Sequence, residues 1–206
     1  MKPYPVITIG RQYGSGGKAI AQALSQRLGI PYYDSALVNR AAEKSGFPPD
    51  LFKNADHAAS NSLLFSLAMN SAPVQLERPL GEQVFLIQSN ILKEVAQEGP
   101  CILLGRCANY VLREREDLFS LFLRAPVRWR IQHATQFYGI DEKTAASEVS
   151  RQDKRRTNYY SYFTGERWGN AEHYHMVLDT SALGVDRTVA LLAAVAEELA
   201  NERAEA

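Results

Sequence analysis

Cysteine is scarce in this sequence of 206 residues, in which Cys101 and Cys107 are the only two. No histidine or further cysteine stands near them at the spacing of a zinc site, so we expect both to be reduced thiols of a cytoplasmic protein. No run of about 18 apolar residues occurs, so no membrane-spanning helix is expected. The first five residues lead directly into a strand pattern, which leaves no room for a signal peptide.

The sequence has no excess of charge of either sign, because 23 Lys and Arg residues balance 23 Asp and Glu residues. A broad basic surface for nucleic acid is therefore not expected, although the balance leaves room for local basic clusters. Hydrophobic residues make up 46% of the chain, which excludes wholesale disorder, collagen and coiled coil. A chain of this length buries roughly 70% of its unfolded surface without disulfides or metals, so we expect one domain.

Short apolar segments alternate with amphipathic ones along the chain. Strands are predicted at 6–9, 30–33, 101–104, 118–123 and 175–178. Helices are predicted at 19–28, 35–44, 81–97, 108–112, 127–138, 141–156 and 185–202. Uniformly apolar strands are buried on both faces, which indicates an α/β protein with a five-stranded parallel sheet between layers of helices. Residues 47–80 leave a helix, a mobile lobe and a partner surface open as interpretations.

A glycine-rich loop lies between the first predicted strand and the first predicted helix, with Gly14, Ser15, Gly16, Gly17 and Lys18 in succession. Glycines let a backbone turn with its N–H groups directed inward, and a helix N-terminus adds partial positive charge. The alternative is a plain strand-to-helix turn, for which one or two glycines are enough. Three glycines in four residues, followed by lysine, favour a phosphate-binding loop.

The loop departs from the two standard phosphate-binding patterns. A P-loop with its lysine at Lys18 requires glycine at position 12 and a hydroxyl residue at position 19, where the chain has Gln12 and Ala19. The dinucleotide-binding pattern lacks its last glycine, and no acidic residue closes a second strand in the position that would bind a ribose.

Three segments carry a resemblance to a known family. Residues 11–17, Arg-Gln-Tyr-Gly-Ser-Gly-Gly, resemble the signature of the cytidylate kinase-like family. Residues 33–40 are similar to a segment of cytidylate kinases whose arginine grips the substrate monophosphate, and residues 102–106 to a strand ending in Gly-Arg-Asp, with Cys107 in place of the acid. The resemblance covers almost the whole chain and implies a P-loop nucleoside monophosphate kinase fold, a three-layer α/β sandwich.

The resemblance also implies a reaction and a set of residues. It implies phosphoryl transfer from ATP to a nucleoside monophosphate, CMP or dCMP, with Mg²⁺ bridging the nucleotide phosphates. The ATP-binding residues would be Arg11, Gly14, Ser15, Gly16, Gly17 and Lys18. The acceptor-binding residues would be Asp34, Arg40 and Arg106, and a monophosphate-binding lobe would lie near 35–98. The catalytic residues would be Lys18, Arg130, Arg151 and Arg156, and a lid near 130–168 would include Asp153 and Arg155.

The lysine of the loop comes one residue later than in cytidylate kinases when the two are aligned without a gap, because their lysine falls on Gly17. Either the loop is one residue longer and Lys18 reaches the phosphates, or another cation such as Arg11 does so. We favour Lys18, because a kinase without any cation at this loop would lose a main source of transition-state stabilisation.

Other features leave alternatives open. The basic run 151–156 is either a solvated helix face or part of a lid, and the aromatic residues at 159–168 either stack a base, pack internally or form the contact of a homodimer. Two rival functions also stay open. One is a kinase of another small acceptor, and the other is a non-catalytic nucleotide- or phosphate-binding regulator, suggested by the late lysine and by Ala19.

Overall fold

A computed structural model describes residues 3–34 and 80–205 of the chain. The strands are β1 (Val6–Arg11), β2 (Tyr32–Tyr33), β3 (Ile102–Leu104), β4 (Leu118–Arg124) and β5 (Met176–Asp179). The helices are α1 (Gly17–Leu28), α2 (Leu80–Glu98), α3 (Ala108–Val111), α4 (Val127–Tyr138), α5 (Glu142–Thr164) and α6 (Thr180–Glu205). The predicted helix at 35–44, the segment 47–79 and Arg40 lie outside the described residues.

The five strands form one parallel sheet in the order β2-β3-β1-β4-β5. β1 is central, and its Ile7 pairs with Ile102 of β3 on one side and with Phe119 of β4 on the other. The predicted α/β class and five-stranded parallel sheet are confirmed. Because all strands run in the same direction, their carboxyl ends and the loops that follow them meet at one edge of the sheet.

The core lies on both faces of the sheet. Side chains of successive strand residues point to opposite faces, so Ile7 and Ile9 of β1 pack with α1 and α6. Val6 and Leu103 lie on the other face, where they pack with the apolar residues of α2. Helices therefore cover both faces, as the near-continuous burial of the strand residues predicts. Within the described residues, no helix is long and apolar enough to cross a membrane.

Several boundaries differ from the sequence prediction. α5 continues eight residues past its predicted end at Arg156 and stops at Thr164, because the next residue that favours a left-handed cap is Gly165 with φ 72°. The aromatic residues at 159–163 therefore lie on this helix, and Trp168 lies beyond its end. β2 is shorter than predicted, and α6 begins earlier, at Thr180, with non-helical backbone at Gly184.

Most of the aromatic run packs inside the molecule. Tyr159 and Tyr160 are buried in one cluster with Cys107, and Phe163 stacks on Phe85 of α2 with 4.2 Å between ring centroids. Tyr162 is 55% exposed. Internal packing therefore accounts for three of these aromatic residues, while the homodimer contact stays a prediction.

Candidate active site

The glycine-rich loop turns sharply between β1 and α1. Gly14 and Gly16 have φ angles of 81° and 78°, in the left-handed region that glycine adopts without strain. A Cβ atom added to Gly14 would lie 2.5 Å from the carbonyl oxygen of Arg130, so even alanine would collide with the backbone of α4. The glycines at these positions therefore satisfy both the turn and a close approach of two backbone segments.

The carbonyl groups of the loop are held by side chains from later in the chain. Thr180 Oγ1 donates a hydrogen bond to the Ser15 carbonyl at 2.9 Å, and Arg156 donates to the Arg11 carbonyl at 2.8 Å. Ser15 is itself fully buried, and its hydroxyl donates to the Gln12 carbonyl at 2.8 Å. The loop is thus fixed through its oxygens.

The amino end of α1 supplies the donors. The first helical hydrogen bond runs from the N–H of Ile20 to the carbonyl of Gly16 at 3.0 Å. The N–H groups of Gly17, Lys18 and Ala19 precede it, and in a first turn they have no acceptor within the helix. Together with the helix dipole, they can hold an anion such as phosphate. The Gly16 N–H already donates to an oxygen, the hydroxyl of Tyr138, and burial raises the pKa of that phenol despite this contact.

Arg130 and Asp153 bind the backbone of the loop at Tyr13. Arg130 of α4 is 4% exposed and pairs with Asp153 of α5 at 2.5 Å. Arg130 also donates to the carbonyls of Ala125 and Tyr13, and the Tyr13 N–H donates to Asp153 at 2.7 Å. Both side chains are thus bonded to the loop and its surroundings. Their predicted roles in catalysis and in a lid stay predictions, and the contacts present here are structural.

A cavity of about 180 Å³ lies at the carboxyl edge of the sheet, next to the loop. Five of the residues predicted for the site line it, namely Arg11, Asp34, Arg106, Arg155 and Arg156. Four guanidinium groups and one carboxylate therefore share a small cavity, which suits a ligand of high negative charge. Arg151 is not part of this lining; its side chain is 55% exposed and pairs with Glu148 of the same helix.

Polar and aromatic side chains form a further part of the lining. They are Gln152, Asn109, Tyr159, Tyr160, Trp168 and Tyr174. Burial raises the pKa values of Tyr160 and Tyr174, so both phenols keep their protons at neutral pH. The sequence pattern did not single out Asn109 or Tyr174. Neither has a motif around it, and only the folding of α3 and the approach to β5 bring them to the cavity.

Arg11 lies between the loop and the cavity. A Cβ atom added to Gly17 would lie 2.8 Å from Cγ of Arg11, so the stem of Arg11 fills the space that a side chain at position 17 would need. The guanidinium group continues over Gly105, where an added Cβ would collide with Nη1 of Arg11. Position 17 is the one on which the lysine of cytidylate kinases falls. Arg11 therefore places a cation close to where that lysine would begin.

Lys18 lies one position further along α1. Its ammonium group is 3.7 Å from Oδ2 of Asp34, which follows β2 and lines the cavity. The Lys18 side chain is 60% exposed. The ion pair keeps Lys18 near the carboxyl edge of the sheet, in a solvated position.

Arg106 is held in the cavity by unusual backbone geometry. Gly105, Arg106 and Cys107 have φ angles of 81°, 58° and 55°, so two non-glycine residues in succession are left-handed. Such residues are destabilising by about 1–3 kcal/mol each and occur mainly at functional sites. The strained turn follows β3 directly, and it places Arg106 among the cavity residues.

Within the described residues, no cluster of three or more His, Cys, Asp and Glu could hold a metal ion. Asp34 nevertheless offers a carboxylate oxygen inside the cavity. Mg²⁺ commonly binds through one or two carboxylates, with substrate phosphates and water as its other ligands. The residues therefore fit a magnesium ion bound chiefly by nucleotide phosphates, with Asp34 as the protein ligand.

Comparison with known proteins adds a family and a fold. A model of the cytidylate kinase-like family matches residues 6–182. The chain is 26% identical over 203 residues to a cytidylate kinase from Methanopyrus kandleri, covering 94% of each chain. It is 23% identical to one from Aeropyrum pernix, covering 87% of this chain and 91% of the relative.

Solved structures share the fold. An uncharacterized protein from Eubacterium ventriosum has a TM-score of 0.69 at 21% identity, covering 94% of this chain and 98% of the other. A gluconokinase from Sinorhizobium meliloti has a TM-score of 0.56 at 14% identity, covering 98% and 99%. At these identities the likeness concerns the fold alone.

Proposed function

The chain belongs to the cytidylate kinase-like family and has the fold of P-loop kinases, and from this premise we propose that it phosphorylates CMP or dCMP with ATP. The observation that carries the proposal is the cavity in which four arginine side chains meet beside the glycine-rich loop. A loop of backbone donors and an arginine-lined cavity at one sheet edge are what a donor and an acceptor phosphate need.

The loop is the proposed donor site. Gly14, Gly16 and Gly17 let the backbone approach the phosphates of ATP, and the N–H groups at the start of α1 donate to them. Fixing the loop carbonyls through Thr180 and Arg156 keeps these donors in place before the nucleotide binds. A preorganised loop loses little further entropy on binding, which favours tight placement of the transferred group.

The cavity is the proposed acceptor site. Arg106 and Arg155 supply planar forks that bind two phosphate oxygens at once. Trp168 supplies a flat surface against which a base can stack. Arg40, predicted to grip the acceptor phosphate, lies outside the described residues and stays part of the proposal.

Arg11 is the proposed cation of the loop. Its stem occupies the space beside Gly17, and its guanidinium group lies over Gly105, between the loop and the cavity. The 60% exposed Lys18 pairs with Asp34 and faces solvent more than the loop. This arrangement supports Arg11 over Lys18, which the sequence had favoured, as the group that stabilises charge on the transferring phosphoryl group.

The chemical step requires placement and charge more than proton transfer. An acceptor phosphate oxygen attacks the γ-phosphorus, the bond between that phosphorus and the β,γ-bridging oxygen breaks, and ADP and a nucleoside diphosphate result. The acceptor oxygen is already ionised, so no general base is needed. Bound magnesium would neutralise charge on the bridging phosphates, with Asp34 as its protein ligand. Arg11, Arg106 and Arg156 would hold the two phosphates in line.

The test is a panel of acceptors given to the purified chain with ATP and Mg²⁺. We expect ADP and CDP or dCDP to form in equal amounts when CMP or dCMP is present, measured by anion-exchange chromatography. The panel also holds UMP, AMP, GMP, gluconate and shikimate, so transfer to one of these alone would favour a kinase of another acceptor. ATP binding without transfer to any acceptor would favour the non-catalytic regulator.

A further inference from the structure

A series of three hydrogen-bonded side chains reaches the cavity. Nδ2 of Asn109 donates to the hydroxyl oxygen of Tyr160 at 2.9 Å, and that hydroxyl donates to Oε2 of Glu166 at 2.9 Å. Asn109 belongs to α3 and Tyr160 to α5, and both line the cavity. Glu166 lies just past the end of α5. The donor site and the proposed mechanism use none of these three residues.

The carboxylate at the end of the series decides the direction of every hydrogen bond in it. An ionised Glu166 can only accept, and Tyr160 has a single hydroxyl proton, so that proton points to Glu166. His173 Nδ1 lies 3.7 Å from the same carboxylate oxygen. The Tyr160 oxygen can then only accept from Asn109. The amide of Asn109 must therefore place its NH₂ group toward Tyr160.

This orientation leaves the other half of the amide for the cavity. With Nδ2 bonded to Tyr160, Oδ1 is the acceptor that the amide of Asn109 can offer to a ligand in the cavity that this residue lines. A ligand group that donates, such as an exocyclic amino group, suits that oxygen. A carbonyl oxygen at the same place would face another acceptor and leave both atoms without a hydrogen bond.

We propose that Asn109 selects acceptor bases that carry an amino group, and that Tyr160 and Glu166 act as positioning residues that set the orientation of its amide. The inference rests on the proposed function, because it places a nucleoside monophosphate in the cavity. It goes further by assigning the preference for CMP over UMP to one oriented amide. These two nucleotides have the same phosphate, sugar and ring size, and they differ at C4, where CMP has an amino group and UMP a carbonyl oxygen.

The test compares the affinities for CMP and UMP by titration calorimetry without ATP. We expect the parent protein to bind CMP about a hundredfold more tightly, since UMP leaves the Asn109 oxygen without a hydrogen bond. Tyr160→Phe keeps the ring and removes both hydrogen bonds. Glu166→Gln supplies a donor to Tyr160, which lets the hydroxyl proton turn to Asn109 and the amide flip. Each variant is expected to reduce the CMP-to-UMP ratio about tenfold, chiefly by tighter UMP binding.

Tyr162→Phe is the matched control. Tyr162 lies on the same helix and donates to Glu82 at 3.2 Å, but it is 55% exposed and outside the described lining of the cavity. The control is expected to keep the parent ratio, and thermal unfolding shows that all variants are folded. A purely structural tie between α3 and α5 would change stability and leave the ratio alone.

The outcomes separate the inference from the proposed function. A parent protein that prefers CMP, with the CMP-to-UMP ratio reduced about tenfold in both variants, supports the inference. It does so even when the transfer assay shows no turnover, in which case only the kinase proposal fails. Transfer to CMP and UMP at equal efficiency overturns the inference and leaves the kinase proposal standing. An unchanged ratio in both variants overturns it too. Failure of both nucleotides to bind overturns both.

Discussion

Replacing Arg11 with alanine is the sharpest test of how this loop handles phosphate without a lysine at position 17. The Arg11 stem fills the space beside Gly17, and the guanidinium group reaches over Gly105 toward the cavity. The change removes one positive charge from the point where donor and acceptor phosphates are proposed to meet. Arg11→Lys restores the charge but not the planar fork, so we expect it to recover part of the lost rate.

The expected loss follows from Coulomb's law. One unit charge about 4 Å from another contributes about 4 kcal/mol at an effective dielectric constant of about 20. Each 1.36 kcal/mol corresponds to a tenfold change in rate, so Arg11→Ala is expected to lower kcat by about a thousandfold. Lys18→Ala is expected to lower it by less than about tenfold. The Lys18 side chain is 60% exposed, and an exposed ion pair contributes about 0–1 kcal/mol.

The assay is steady-state phosphoryl transfer to CMP with saturating ATP and Mg²⁺, followed by coupled detection of ADP. Arg113→Ala is the matched control, because Arg113 is a half-exposed arginine paired with Glu114 and outside the described cavity lining. Circular dichroism establishes that each variant is folded. A collapse of turnover in Lys18→Ala, with Arg11→Ala close to the parent protein, would refute the reasoning and return the role to Lys18.

Three further predictions concern the support of the loop. Asp153→Asn leaves the buried Arg130 guanidinium without its charged partner and should lower the free energy of unfolding by about 3–5 kcal/mol in urea titrations, whereas a change under about 1 kcal/mol would contradict the pairing. Gly14→Ala places a Cβ atom at a φ of 81° and 2.5 Å from the carbonyl oxygen of Arg130. It should therefore lower the midpoint of thermal unfolding and weaken ATP binding, and an unaffected variant would show that the loop adapts. Burial lowers the pKa of His133 in the folded protein, so the unfolded chain binds the extra proton first as the pH falls. The contribution of His133 to stability should be present above its unfolded pKa of about 6.5 and decline below it. The free energy of unfolding, measured in urea at several pH values, should therefore change less steeply with pH in His133→Phe. Identical slopes in the two proteins would show that His133 is not the cause.

Local patterns were enough to predict the architecture. Each strand is a short apolar run, and some helices begin at a glycine or at a capping residue such as Asp141, whose side chain accepts from the Lys143 N–H at 2.8 Å. Burial on both faces follows from the apolar run itself, and parallel order follows from the helices between strands. The boundaries of α5 were less predictable, because nothing short of Gly165 marks its end.

Part of the site was also visible in the sequence, in a recognisable motif. Arg106 follows an apolar strand and a glycine, and parallel strands bring such residues to one edge of the sheet. Arg11, Asp34 and Arg156 also line the cavity. They were predicted as site residues from the family resemblance. Asn109 carries no such signal. Its partner Tyr160 lies 51 residues further along the chain, so their contact depends on how α3 and α5 pack.

The sequence by itself determined the fold class, the glycine-rich loop between strand and helix, and the family, because each depends on residues that are neighbours in the chain. Only the tertiary structure decided which cation lies beside the loop. The sequence favoured Lys18, but the choice depends on the space beside Gly17, which the stem of Arg11 fills. The structure likewise placed Arg130 beneath the loop, where its pairing with Asp153 requires two helices to meet. Such choices depend on steric exclusion and charge pairing between distant segments, which no local pattern encodes.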